Sequence, residues 1–191
     1  MYQKIKPLVL KTPPASLYEE VIQTCQEIFR QKNKDYGTAW RILRLPAITD
    51  QISIKAQRIR SIQEKGKQYV QDSIKTDLIG IVNYSIIALI QIALPPHQPL
   101  EMPYETLKPY YEQVIKQTLA LLKAKNHDYG EAWRAMRLSS IIDIILMKLL
   151  RIKRIEDHPK ATWTSEGVEA NYQDIINYAV FALLKQQDGH E

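Results

Sequence analysis

The stretch Lys32–Leu45 reads KNKDYGTAWRILRL, and Lys125–Leu138 reads KNHDYGEAWRAMRL. Placing residue n over n+93 aligns Lys32–Ile62 with Lys125–Ile155, and 17 of these 31 positions are identical. Unrelated segments would agree at about two positions, so the chain carries a duplication. The register runs backwards, where Tyr18, Glu19, Val21 and Ile22 fall on Tyr111, Glu112, Val114 and Ile115. After a one-residue insertion it runs forwards, with Asn83 and Tyr84 on Asn177 and Tyr178.

Around the repeated stretch the apolar residues recur at helical spacing, as in Val114, Ile115, Leu119 and Leu122. Each repeat is predicted to hold three main helices. The first covers about 16–32 and 105–125, and a DYG corner and a short AWR turn follow it. The second covers about 47–64 and 140–157, and the third about 68–94 and 166–187. Nothing alternates with period two long enough to suggest a sheet. Between the repeats, Ala93–Pro103 has four prolines in eleven residues and cannot continue a helix. The expected architecture is all-α: repeats at 1–94 and 104–191, a proline-rich linker at 95–103, and the two three-helix repeats packed as a pseudo-two-fold bundle. Such an internal pseudo-dimer leaves a homodimer open as well.

Composition narrows the function classes. With 45% hydrophobic and 25% charged residues the chain is globular in character. Its net charge of +5 favours anionic partners, such as a phosphorylated small molecule or nucleic acid. The single Cys25 lies on an apolar helical stretch and reads as core; it allows no internal disulfide. With no signal-peptide pattern at the N-terminus, a reducing, cytoplasmic location is the expectation. The most apolar run, Leu78–Leu94, contains Asn83, Tyr84, Ser85 and Gln91 and reads as a buried core helix, with no membrane partner expected. No helix-turn-helix, zinc spacing or glycine-rich phosphate loop is present.

Polar residues kept in both copies are the candidates for function. Asp35 and Asp128 of the corner either cap the following helix or serve chemistry, while Gly37 and Gly130 meet a backbone geometry closed to other residues. Trp40 and Trp133 either close the bundle or stack a flat ring. Each is followed by arginines one and four positions on, Arg41 with Arg44 and Arg134 with Arg137. An indole beside guanidiniums suits a base joined to phosphates, and carboxylates from the other repeat are the structural alternative. Asp50, Lys55 and Arg58 recur as Asp143, Lys148 and Arg151. They are expected either to pair between helices or to hold phosphate. In the third helix Asp77 and Gly80 stand where the second copy has Asn171 and Asp174, so each copy keeps one acid of an i, i+3 pair suited to magnesium. Asp72 and Glu166 correspond one turn or so earlier, as metal ligands or as acids near a helix start. Asn83, Tyr84, Asn177 and Tyr178 complete the candidate set.

The helix, the K-x-x-DYG corner, the K-x-x-R helix and the acid-before-aromatic helix together resemble the phage and bacterial nucleotide modification-associated domain. More distantly they resemble the all-α MazG and dimeric dUTPase-type nucleoside triphosphate pyrophosphohydrolases. That resemblance implies a helical protein that uses Mg2+ to split a nucleotide or pterin-type triphosphate between its α and β phosphates. Asp77 and Asp174, helped by Glu19 and Glu112, would hold the metal, and Asp35 and Asp128 would join the catalytic cleft. Lys55, Arg58, Lys148 and Arg151 would neutralise phosphate, and Trp40 or Trp133 would stack the base. The chain departs from the pyrophosphohydrolase pattern: the first-helix E-x-x-E is missing, and the third-helix E-x-x-D survives only as D-x-x-G and N-x-x-D. Non-catalytic binding of a nucleotide or nucleic acid, or a purely helical interaction role, are the alternatives.

Overall fold

The computed structural model describes residues 14–69, 71–95, 97–158 and 167–187. They form six helices: α1 (Pro14–Tyr36), α2 (Leu45–Lys65), α3 (Ile74–Ala93), α4 (Tyr104–Tyr129), α5 (Leu138–Asp157) and α6 (Val168–Gln187). Short 3₁₀ turns at Ala39–Ile42 and Ala132–Ala135 carry the AWR segments, and no strand occurs among the described residues. The all-α reading therefore holds. Asp35 and Tyr36 lie in the last turn of α1, so the first helix runs further than its periodicity suggested. Gly37 and Gly130 then take φ of 59° and 62°, the left-handed region that lets the chain leave a helix sharply. α3 begins later than expected, at Ile74, where the Ser73 hydroxyl accepts the Thr76 N–H. Glu166 lies outside the described residues.

The bundle is built on α3 and α6, which are buried on most of their sides. These two helices pack on each other, α2 and α5 flank them, and α2 and α5 also meet. α3 is long and apolar enough to cross a membrane, and 67% of its most apolar stretch is buried within the protein. Cys25 sits at 0% exposure in the same core, and burial pushes its thiol up to about 12.

The first helices cross over. α1 packs more extensively on α6 than on α3 of its own repeat, and α4 more on α3 than on α6. Two matched hydrogen bonds fix this exchange: Tyr18 donates to Asn177 Oδ1 at 2.8 Å, and Tyr111 donates to Asn83 Oδ1 at 3.0 Å. Asn83 also donates through Nδ2 to the Cys25 carbonyl at 2.9 Å. Matched ion pairs join α2 to α5, Asp50 with Lys153 at 2.6 Å and Asp143 with Arg60 at 3.7 Å. Neither repeat is a closed unit, as the pseudo-two-fold reading expected.

One buried contact breaks the symmetry. Thr49 bonds Tyr172 at 2.7 Å and donates to Glu156 Oε1 at 2.8 Å. Burial, ahead of the nearby Asp50 and Asp157 charges, raises the Glu156 carboxyl above its ordinary range. The folded chain then holds a proton that the unfolded chain releases. Stability should therefore fall as pH rises from the ordinary glutamate value of about 4.3 to the raised one. Glu156→Gln, which keeps an acceptor for Thr49, should flatten that slope in thermal melts taken across pH and raise stability at neutral pH. Asn83→Ala should cost about 2–4 kcal/mol in urea unfolding, because it strands the Tyr111 hydroxyl and also removes the second hydrogen bond that ties α3 to the Cys25 carbonyl of α1. Asn177→Ala, which strands the Tyr18 hydroxyl, should cost less. Equal losses at the two positions would contradict this account of the crossover.

Candidate functional site

The DYG corner of the first repeat is strapped by the linker. Thr38 Oγ1 donates to the Leu100 carbonyl at 2.5 Å and accepts the Met102 N–H at 2.9 Å. The Thr38 N–H donates to Glu101 Oε2 at 3.2 Å. The positive φ of Gly37 favours glycine at the corner, and a Cβ there would also push the Glu101 carboxylate aside. Arg41 donates to the Pro99 carbonyl at 2.7 Å and also lies on Met102, which turns it away from any ligand.

This corner forms one wall of a cleft of ≈ 440 Å³, within the size range of small-molecule sites. α1 contributes Lys32, Asn33 and Tyr36, the turn contributes Trp40, and α3 contributes Thr76, Gly80, Tyr84 and Ile87. Trp40 and Tyr84 are half-buried, and Lys32 is exposed at the rim. Among the described residues Trp40 has no ring or guanidinium stacked on it, and Lys32 has no carboxylate partner. The site thus offers an apolar wall, four aromatic side chains (Phe29, Tyr36, Trp40 and Tyr84) and an uncompensated ammonium.

The second copy uses the same positions differently. Phe181, which replaces Ile87, stacks on Trp133 with ring centroids 4.4 Å apart and planes 3° from parallel. Arg134 lies 4.6 Å from the Trp133 centroid and pairs with Glu131 at 2.6 Å. Trp133 is accordingly buried, at 8% exposure. Asp174, which replaces Gly80, takes Lys148 at 2.7 Å and also Lys125, the equivalent of Lys32. The opening left beside Trp133 is lined by Tyr18, Leu119, Leu122 and Leu184, without Lys125 or Tyr178. Tyr178 instead meets Phe181 edge to face.

The remaining candidates divide between structure and surface. Arg58 pairs with Asp77 and donates to the Asp72 carbonyl, and Lys55 lies 3.6 Å from Asp77, so the charges of the second helix pair with the third helix and not with Asp50. Arg151 is also engaged. Asn83 and Asn177 accept the crossover bonds through Oδ1 and so clamp the repeats, and Asn83 also borders the cleft. Asp35 and Asp128 are exposed in the last helical turns, and no side-chain cap bond occurs at either 3₁₀ turn, which corrects the capping expectation. They cap nothing because α1 and α4 extend past them. Arg44 and Arg137 are exposed at the starts of α2 and α5.

Glu19 and Glu112 face a separate groove between α1 and α4, which also includes Ile22, Ile115 and Leu119. Among the described residues no group of three or more His, Cys, Asp or Glu gathers in one place. Asp77 and Asp174 each already face two cations. These side chains therefore do not fit the magnesium set that the resemblance implied, since a carboxylate held between two cations is a poor ligand for a third.

Sequence reasoning passed over Lys32 and Lys125, and the exchange of Ile87 for Phe181. The first pair was visible as a repeated lysine. The exchange reads as ordinary core variation until the ring is seen lying on Trp133.

No curated protein and no solved structure matches the chain. The family model described as nucleotide modification associated domain 1 matches residues 32–92 and again 125–186, which together make up most of the chain and fall one within each repeat. Both matched segments begin at the lysine of the K-x-x-DYG corner and run into the last helix of their repeat, and on that ground the chain belongs to the nucleotide modification associated domain 1 family.

Proposed function

We propose that this protein binds a nucleotide, or a similarly phosphorylated flat ring, in the cleft of its first repeat, and that the role is recognition and not hydrolysis. The observation that carries the proposal is the contrast between two equivalent lysines. Lys125 is paired with Asp174, which it shares with Lys148, whereas Lys32 faces an open cleft beside Trp40 and Tyr84 with glycine in place of the acid. An anion with an attached ring supplies both missing partners, through charge on Lys32 and stacking on Trp40. Membership of a family associated with nucleotide modification supports the same ligand class.

The finer expectation of magnesium-dependent pyrophosphate release would need Asp77 and Asp174 freed from the cations that hold them. Binding needs no such rearrangement. Calorimetry at low salt, with EDTA present and a panel of nucleoside mono- and triphosphates, should show saturable binding to at least one member. Trp40→Ala should weaken it roughly tenfold or more, in line with about 1–3 kcal/mol for base stacking. Lys32→Ala should weaken it and flatten its salt dependence, while Lys125→Ala should leave the affinity unchanged. Absence of binding across the panel would sink the proposal. Repeated turnover to pyrophosphate with magnesium would return the hydrolytic reading.

A further inference from the structure

Resting on that reading, we infer that the second repeat is a self-occupied copy of the same site. Two side chains of α6 stand where the ligand of the first repeat stands. The Phe181 ring lies flat on Trp133 as a base would, and the Asp174 carboxylate bridges Lys125 and Lys148 as a phosphate would. Both stand-ins are absent from the first repeat, where the equivalent residues are Ile87 and Gly80. The substitutions are coupled by chemistry. Removing the ring exposes a tryptophan face, and removing the acid leaves a lysine without a counter-ion, so the pair of changes empties a site that keeps its shape.

The second repeat then acts as a template for the ligand. Positions 174 and 181 are seven residues apart, two turns along one face of α6, or roughly 10 Å along the axis. Positions 80 and 87 have the same spacing on α3. The ligand of the first repeat therefore lies along α3 with its ring between Trp40 and Ile87. A single anionic group sits near Gly80, within reach of Lys32 and Lys55. Gly80 places no side chain there; the flexible Lys55 stem lies over it, 2.8 Å from where a Cβ would be, and swings aside as the anion enters. A ring and one anion at this spacing describe a nucleoside monophosphate better than a triphosphate. Asp174 is the one anion in the template, and Lys55 and Arg58 already share Asp77.

Exchanging the stand-ins tests the assignment, with thymidine and deoxyadenosine 5′-monophosphates as probes in calorimetry. Wild type should bind one equivalent of at least one probe. Closing the first site with Gly80→Asp and Ile87→Phe together should lower its affinity by tenfold or more while the melting temperature holds or rises, because the Lys55 stem can swing onto the new acid as Lys148 does. Opening the second site with Asp174→Gly and Phe181→Ile together should raise the stoichiometry from one to two in a protein that still melts cooperatively. If wild type binds neither probe but binds a triphosphate, the template fails and nucleotide binding stands. If it binds nothing, the functional proposal falls with it. A closed variant that binds like wild type, or an opened and folded variant that still takes one equivalent, would overturn the self-occupied copy. Should the opened variant unfold, the closed variant decides, since it replaces the core Ile87 by a larger side chain and leaves no cavity.

Discussion

The buried Tyr–Asn hydrogen bonds between repeats are the constraint on which the rest of the structure depends. Tyr18 reaches Asn177 and Tyr111 reaches Asn83, each from a first helix to the last helix of the other repeat. A buried amide without partners is costly, so each asparagine demands the opposing helix in one register. That demand carries α1 onto α6 and α4 onto α3 and closes the apolar faces of α3 and α6. The corners and 3₁₀ turns follow from where the first helices end. Even their anchoring is matched, since Gln91 of α3 donates to the Arg41 carbonyl and Lys185 of α6 donates to the Arg134 carbonyl.

Because the two halves hold each other, their peripheral clefts are free to differ without loss of the fold. The polar differences concentrate there. In the first copy the linker folds back over the corner through Thr38, Arg41 and Glu101, whereas nothing lies within 4 Å of a Cβ placed on Gly130. In the second, an acid and a phenyl ring complete the lysine and the tryptophan from within. Charge explains why these changes travel together. Asp77 serves Arg58 and Lys55 in one copy, and Asp174 serves Lys148 and Lys125 in the other, so each copy retains a single acid and places it against a different set of cations. Moving the acid by three residues along the helix turns it toward a different neighbour, and that shift leaves Lys32 without a carboxylate partner among the described residues, at the rim of the cleft.

Several candidates read from the repeat are engaged in contacts that hold the fold, each for a physical reason that one chain of letters conceals. Arg41 and Arg134 are the same residue in the same motif, yet one grips linker carbonyls and the other covers an indole. Asp35 and Asp128 stand where a cap is expected, but a cap requires the preceding helix to have ended, and it has not. Asn83 and Asn177 are repeated because the crossover needs both. Repetition alone marks what is needed twice, and in a pseudo-dimer the interface is needed twice as surely as a site.

The sequence by itself determined the duplication, the all-helical class, the proline-rich boundary and the glycines at positive φ. These rest on local periodicity and on backbone sterics, which act over a few residues. It also marked Lys55 and Arg58 as charges that either pair between helices or hold phosphate. Only the tertiary structure decided which acids pair them, that the first helices exchange between repeats, and that one cleft is open while the other is filled. Those outcomes depend on distances between residues dozens of positions apart, where an aspartate moved by one helical turn, or a phenylalanine in place of an isoleucine, changes which surfaces meet.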